Sequence, residues 1–239
     1  MRIKNYILIL IISSFNLFVL SCTKTESEGP PITDTSFQPL IVADFEDGIP
    51  QGSLVWNQTG LNMTFETASD NPFQGNRYFK MGGRVNWDYL LGQIDIPFQM
   101  PEINTVPENL FFNIAVLSGI DGEFDSDQFI NIFISESNIP FNDDLSNNSA
   151  DVFHDSLEVY KYQIKPIDWI SWNMISISYD QFEIKGQIAG NNLKNPENIT
   201  AVRIQCQSCA VNTGNCSGNA NIDVRTDIDH IAFTENRGL

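Results

Sequence analysis

Apolar residues recur from Leu40 onward in short runs rich in Ile, Val, Phe and Tyr, and clusters of Asn, Asp, Gly and Pro separate the runs. This punctuation is typical of β-strands joined by turns. No stretch keeps the i, i+3, i+4, i+7 apolar stripe of an amphipathic helix for three turns, which argues against helical bundles and alternating β-α-β folds. The pattern therefore predicts an all-β fold, a jelly-roll β-sandwich. The predicted strands are Leu40–Phe45, Leu61–Phe65, Arg77–Met81, Gln93–Ile96, Leu110–Leu117, Phe129–Ser135, Leu157–Ile164, Asn173–Ser178, Ile199–Cys206 and Ile228–Phe233.

Two of these runs, Leu157–Ile164 and Asn173–Ser178, carry apolar residues at alternate positions. One face of each strand is therefore expected to pack against a core while the other meets solvent. No internal repeat divides the chain, and about 200 residues fill a single sandwich. We expect one domain over residues 39–239.

The first 21 residues have the pattern of an export signal. Arg2 and Lys4 form a basic start, and the apolar run Ile7–Leu20 follows, interrupted by Ser13, Ser14 and Asn16. The exit Val19-Leu20-Ser21-Cys22 resembles the lipobox of bacterial lipoproteins, which implies that Cys22 is acylated and becomes the new N-terminus. The alternatives are an ordinary secretory signal and a membrane-spanning anchor, although a spanning helix needs about 20 continuous apolar residues.

The sequence of residues 22–38 indicates a lipidated cysteine followed by a flexible linker. The segment Thr23–Gln38 contains Gly29, Pro30 and Pro31, many hydroxyl groups and few large apolar side chains, so it lacks the material for a core. Acyl chains stabilise membrane attachment by about 0.8 kcal/mol per buried methylene, without a spanning segment. The domain is thus expected to work in water while it is held at a membrane.

The chain is strongly acidic. Its formal net charge is −17, and removal of residues 1–21 takes away Arg2 and Lys4 but no acid, which gives −19. Such a surface repels phosphate groups, so nucleic acid and anionic lipid are not expected as partners. Neutral ligands and cations remain.

Catalytic motifs are scarce. His154 and His230 lie in no H-E-x-x-H motif, and no Ser lies in a G-x-S-x-G motif. Glu123 and Asp125 would lie about 6 to 7 Å apart on one face of a strand, a separation that glycosidases use. Their stretch resembles the E-x-D-x-x-E or E-x-D-x-E signature of jelly-roll β-glucanases, with Asp127 in place of the acid/base glutamate. This resemblance implies, as an alternative function, a glycoside hydrolase or lyase. If Asp121–Asp127 instead forms a loop, its side chains would be solvated or would supply oxygens to calcium.

Acids near both ends of the domain form a candidate calcium site. Glu46 and Asp47 follow the first predicted strand, and Asp229 lies in the last. First and last strands are often neighbours in a jelly roll, and Ca²⁺ takes six to eight oxygen ligands. We therefore expect these acids to converge on Ca²⁺; without an ion, Glu46-Asp47-Gly48 is a polar turn.

Aromatic residues beside short polar groups give the clearest binding signal. Arg84, Asn86, Trp87, Asp88 and Tyr89 directly follow the strand that ends at Met81. Flat rings stack on the C–H faces of sugars, and neighbouring Asn, Asp and Arg bond their hydroxyl groups. Trp169 and Trp172 form a second pair, and Trp56 precedes Asn57. The alternative for each Trp is a place in the core.

Three cysteines follow Cys22, namely Cys206, Cys209 and Cys216. An exported chain favours oxidation, and three thiols allow one disulfide and one remaining thiol. We predict a Cys209–Cys216 disulfide, with Cys206–Cys216 as the alternative pairing.

Four stretches combine into a family resemblance: Ala43–Gly48, Gly75–Met81, Trp87–Tyr89 and Ile228–Phe233. Together with the lipobox and linker, they resemble the surface glycan-binding lipoproteins of Bacteroidetes polysaccharide-utilisation systems, in particular their galactose-binding-like jelly-roll domain. The resemblance implies a lipid-anchored protein on the surface of the outer membrane. Its function would be to capture polysaccharide or oligosaccharide without catalysis, for an outer-membrane transporter complex, with Trp87, Asp88 and Tyr89 facing the ligand. A protein-binding accessory or adhesion lipoprotein is the third candidate.

Overall fold

A computed structural model describes residues 37–57, 62–85, 90–118, 126–137, 141, 158–164, 169, 171–185, 190–210, 222–236 and 239. In these ranges the chain forms twelve β-strands and three 3₁₀-helices and no α-helix. The strands are β1 Leu40–Ala43, β2 Leu54–Asn57, β3 Asn62–Ala68, β4 Tyr78–Val85, β5 Leu90–Pro97, β6 Leu110–Ser118, β7 Ser126–Ser135, β8 Val159–Ile164, β9 Trp172–Ser178, β10 Glu183–Ile184, β11 Ala201–Ala210 and β12 Ile222–Glu235. The 3₁₀-helices are Pro107–Asn109, Tyr179–Gln181 and Pro196–Asn198.

The strands form two antiparallel sheets. Sheet 1 has the order β3-β4-β12-β6-β9, with β1 also paired to β12. Sheet 2 has the order β10-β8-β7-β11-β5-β2. The sheets pack face to face, which confirms the predicted all-β sandwich.

The core between the sheets is made by alternate residues of the strands. Isoleucine, valine and phenylalanine at every second position point inward and are buried, as the period of two in a strand requires. Each such side chain contributes about 1.5–3 kcal/mol by leaving water. Three strands show the alternation most clearly: Leu110, Phe112, Ile114 and Val116 in β6, Ile130, Ile132 and Ile134 in β7, and Val202, Ile204 and Cys206 in β11.

The last strand is long because two strands share one of its edges. β4 pairs with β12 between Ile222 and Ile228, and β1 pairs with it from Ile231 to Phe233. Between these two partners the backbone of β12 bulges, and His230 takes a φ of 44°. The pairing of β1 with β12 agrees with the expectation that the first and last strands are neighbours.

All ten predicted strands are present, with ends shifted by a few residues. β2 and β10 were not predicted from the sequence. Both are short strands at the edges of sheet 2, and a strand of four residues or fewer shows no readable alternation. In the described parts of the chain, no helix is long and apolar enough to cross a membrane.

Candidate functional site

Two rows of side chains cross the outward face of sheet 2, the face turned away from the core. They alternate along their strands with the buried core residues, and strand register aligns them from β2 to β8. The first row is Leu54, Asp95, Arg203, Phe133 and Lys161. The second row is Trp56, Gln93, Gln205, Asn131 and Gln163.

An ion pair lies at the centre of the first row. Arg203 donates through Nε to Asp95 Oδ1 at 2.7 Å and through Nη2 to Asp95 Oδ2 at 2.8 Å. Arg203 is only 1% exposed and Asp95 6%. The ring of Phe141 lies over the guanidinium group, 4.8 Å from its carbon. A two-point contact of this kind fixes both side chains in one orientation.

Neighbouring amide side chains of the second row form hydrogen-bonded groups, one of which extends to Gln207. The side-chain amides of Gln205 and Gln93 lie 3.0 Å apart, and Gln163 Nε2 donates to Asn131 Oδ1 at 2.8 Å. Asn131 in turn donates to Gln207 Oε1 at 2.7 Å. Amides both donate and accept, so these groups are held without charge.

A cleft of about 850 Å³ opens at one end of this face, where β5 and β7 end and β11 begins. Its apolar lining is Leu54, Pro97, Phe98, Met100, Phe141, Ile199 and Ala201, beside Gly52. Its polar lining is Asp95, Gln99, Glu136, Ser137, Glu197, Asn198 and Thr200. Leu54 is 40% exposed, so an apolar surface is available to a ligand.

Backbone hydrogen bonds connect the walls of the cleft. Phe98 N donates to Thr200 O at 2.9 Å, and Thr200 N donates to Ser135 O at 2.9 Å. The segments after β5 and β7 and the segment before β11 are thereby held in one arrangement. A preformed cleft spares a ligand the entropic cost of ordering loops.

Glu136 is the titratable group with the most altered environment in the cleft. Burial raises its pKa to about 7. The hydroxyl of Tyr179 donates to Glu136 Oε1 at 2.5 Å and the Asn195 backbone N–H donates at 2.6 Å, and both favour the ionised form. The carboxylate of Glu158 acts in the opposite direction. Glu136 thus joins the segment after β7 to Tyr179 and to the segment before β11.

The predicted aromatic site falls largely outside the described residues. Asn86, Trp87, Asp88 and Tyr89 lie outside them, and Arg84 is described only through its backbone, opposite Asn62 and Asp223. Val85, the end of β4, pairs with the first residue of β12, at the end of the sandwich opposite the cleft. The binding role of these residues therefore stays a prediction.

The second predicted pair of tryptophans, Trp169 and Trp172, contacts the protein itself. Trp169 is half-buried against the core, and its indole N–H donates to Val116 O at 3.1 Å. The indole N–H of Trp172 donates to Asn71 O at 2.8 Å, and its ring meets that of Tyr78 edge to face. The ring of Trp169 is therefore only partly accessible, and its stacking on a sugar stays a prediction.

Two of the three predicted calcium ligands, Glu46 and Asp229, accept hydrogen bonds from the backbone of residues 73–77. Glu46 accepts backbone N–H groups from Asn76 at 2.7 Å and Arg77 at 3.0 Å. Asp229 accepts from Phe73 at 3.1 Å and from His230 at 2.7 Å. Asp47 lies in the turn after β1. Among the described residues no three acidic, His or Cys side chains form a possible metal site, and calcium stays a prediction.

The cysteines are described in part. Cys206 carries a free, fully buried thiol, and burial raises its pKa to about 12. The alternative Cys206–Cys216 disulfide is therefore not formed. Cys216 lies outside the described residues, as do Cys22, Glu123 and Asp125, and Cys209 is described only through its backbone in β11. The Cys209–Cys216 disulfide, the lipidation of Cys22 and the acid pair stay predictions.

Comparisons with known proteins identify similar structures but no relatives in sequence. No family model matches the chain, and no curated protein matches it. A family 11 carbohydrate-binding module from Clostridium thermocellum, in complex with a β-1,3-1,4-mixed-linked tetrasaccharide, has 14% identity and a TM-score of 0.49, with 84% of this chain and 98% of that chain covered. The family 30 module of a cellulosomal cellulase of the same organism has 9% identity and a TM-score of 0.45, over 84% and 100% of the two chains. SGBP-B from a complex xyloglucan utilization locus in Bacteroides uniformis has 12% identity and a TM-score of 0.43, over 82% and 49%. These similarities concern the layout of the strands alone.

Proposed function

We propose that this protein binds polysaccharide without catalysis, in the cleft at the end of sheet 2. The observation that carries the proposal is the mixed lining of that cleft. Exposed apolar surface on Leu54 lies beside Asp95, which Arg203 holds in a fixed orientation. A sugar offers the same mixture, because it has apolar C–H faces and a rim of hydroxyl groups.

The acids in the cleft favour binding over catalysis. Asp95 is engaged by Arg203, and Glu136 by Tyr179 and Asn195. Oriented acceptors that stay in place suit recognition of hydroxyl groups.

We also propose that the protein is held at the surface of the outer membrane by lipid on Cys22 and delivers glycan to a transporter. The signal-like segment 1–21, the linker-like segment 22–38 and the family resemblance support this proposal. Metabolic labelling with a fatty acid tests it, because Cys22→Ala should abolish incorporation and release the protein from membranes. Calcium bound by Glu46, Asp47 and Asp229 is a separate proposal, and an unchanged melting temperature in EDTA would contradict it.

The binding proposal is tested with a panel of soluble polysaccharides, by affinity electrophoresis and calorimetry on the full chain. Leu54→Ala and Gln99→Ala should each weaken binding by about three- to tenfold, as expected for loss of one apolar or polar contact worth about 0.7–1.4 kcal/mol. Ile41→Ala is the matched control, because Ile41 is an exposed strand residue of sheet 1, at 43% against 40% for Leu54.

Three results separate the candidate functions. Absence of binding to every polymer, or equal loss in Leu54→Ala and Ile41→Ala, contradicts the proposed site. Release of reducing sugar from a bound polymer would support the hydrolase or lyase that uses Glu123 and Asp125. Recovery of a defined outer-membrane protein, together with no glycan binding, would support an accessory or adhesion subunit.

A further inference from the structure

The described lining of the cleft carries acids and no bases. Asp95, Glu136 and Glu197 contribute carboxyl groups, and none of the described lining residues is Lys, Arg or His. The remaining polar lining consists of the neutral side chains of Gln99, Ser137, Asn198 and Thr200. The electrostatic character of the cleft is therefore set by carboxylates.

The two cations that neighbour these acids are engaged within the protein. Arg203 is buried beneath the floor of the cleft, with Nε and Nη2 on Asp95. Lys194 donates to the Asp180 backbone carbonyl, and its ammonium group lies 5.8 Å from the ring centres of both Tyr160 and Tyr179. Arg203 therefore offsets the charge of Asp95, while Glu197 remains an exposed acid at the wall of the cleft.

An anionic ligand in this cleft would meet like charge where protein excludes part of the solvent. Repulsion between like charges is several times stronger in such a place than in bulk water, because fewer water dipoles screen it. A neutral chain of hydroxyl groups has no such cost and can donate hydrogen bonds to the carboxylates.

We propose that this cleft accepts neutral glycan chains and rejects chains that carry carboxylate groups, such as uronic acids. The inference rests on the proposed function and names the ligand class for the same cleft.

Glu136 gives the discrimination a dependence on pH. Three elements supply the groups that face it: Tyr179 after β9, Glu158 and Tyr160 at the start of β8, and Lys194 and Asn195 before β11. Since burial raises its pKa to about 7, Glu136 loses charge at mildly acidic pH, where uronic acids stay ionised. Rejection of acidic chains is therefore weaker at about pH 5.5 than at about pH 8.

The test compares polymers that share a backbone and differ in charge. Hydroxyethyl cellulose and carboxymethyl cellulose form one pair, and methyl-esterified homogalacturonan, which is neutral, and polygalacturonate form a second. We expect the full chain at low salt to bind the neutral member of a recognised pair at least about tenfold more tightly. Glu197→Gln should lower the ratio of neutral-polymer affinity to acidic-polymer affinity. Glu66 is an exposed acid on β3 of sheet 1, and Glu66→Gln should leave this affinity ratio unchanged.

The outcomes separate this inference from the proposed function. Equal or tighter binding of the acidic polymer overturns the inference and leaves the proposed function in place. If Glu197→Gln and Glu66→Gln have the same ratio of neutral to acidic affinity, the preference for neutral polymers comes from the net charge of the chain. That result overturns the role of the cleft. Binding to no polymer overturns the proposed function and the inference together.

Discussion

Arg203 on β11 lies directly opposite Asp95 on β5, and the two side chains form a two-point ion pair on the outward face of sheet 2. The pair is almost entirely removed from solvent, although it is not part of the core between the sheets. Buried ion pairs of this kind contribute little net stability, because desolvation offsets their attraction. Their effect is to fix orientation, and here they fix the acid that lines the cleft.

Asp95→Asn should destabilise the domain, because it leaves the Arg203 guanidinium buried without its carboxylate partner. The expected cost is about 3 kcal/mol, at the lower end for a broken buried pair. The Gln93 amide oxygen explains the lower value, because it faces Arg203 at 3.2 Å from Nε and 3.3 Å from Nη2 and still accepts from the guanidinium. Urea denaturation measures the loss. The double replacement of Asp95 by Leu and Arg203 by Met should recover most of it, and an unchanged midpoint for Asp95→Asn would contradict the burial of the charge.

Gly75→Ala should destabilise the protein more than Gly48→Ala. Both glycines have positive φ, 64° and 103°, so each substitution brings backbone strain of about 1–2 kcal/mol. A β-carbon at Gly75 would also overlap the Glu46 carboxylate, whereas a β-carbon at Gly48 meets open space. Thermal melts of the two variants isolate this difference. Equal melting temperatures would show that Glu46 does not hold residues 75–77 in solution.

Stability should fall as pH rises from about 5 to about 7.5. Burial raises the pKa of Asp227 and Asp229 to about 6 and that of Glu136 to about 7. In this window the folded state holds protons that the unfolded state has released, so each acid favours folding at the lower pH. His230 opposes the trend, because burial lowers its pKa. Below about pH 4 the trend reverses, since hydrogen bonds lower the pKa of Glu46 and Asp70.

Denaturation midpoints across this pH range test the prediction. Glu136→Gln is the informative variant, because it should flatten the slope near pH 7 and leave the lower part of the curve in place. A midpoint that rises steadily from pH 5 to 8 would contradict burial of these three acids.

Cys206 should resist alkylation in the folded protein. Its thiol is fully buried in the core, and the raised pKa leaves almost no thiolate at neutral pH. Iodoacetamide treatment followed by peptide mass mapping should find Cys206 modified only in denaturant. Rapid modification under native conditions would mean that β11 opens at this residue.

Trp87→Ala and Trp169→Ala should differ in their effects. Trp87 is predicted from the sequence to face the ligand, so weaker polysaccharide binding by Trp87→Ala would support that prediction, whereas binding in the cleft alone predicts no change. The Trp169 indole bonds Val116 and packs on the core, so its replacement should lower the melting temperature. Normal binding by Trp87→Ala, with a loss in Leu54→Ala, would place recognition in the cleft alone.

The sequence alone determined the class of fold and ten of the twelve strands in the part of the chain that the structure describes. Alternation over six or more residues, as in Asn173–Ser178, is set by the requirement that one face leave water, and it survives in any packing of the sheets. The expected pairing of first and last strands also held, as Leu40 opposite Phe233 shows. β2 was missed because four residues at a sheet edge carry too little pattern.

Only the tertiary structure decided the cleft and the rows beside it. Asp95 and Arg203 are 108 residues apart, and alternation places each on an outward face without saying which outward residues face each other. Register between strands that are distant in sequence brings them together, because hydrogen-bonded pairing aligns β5 with β11 one residue at a time. The walls after β5 and β7 and before β11 likewise meet only through long-range backbone bonds, which no local pattern encodes.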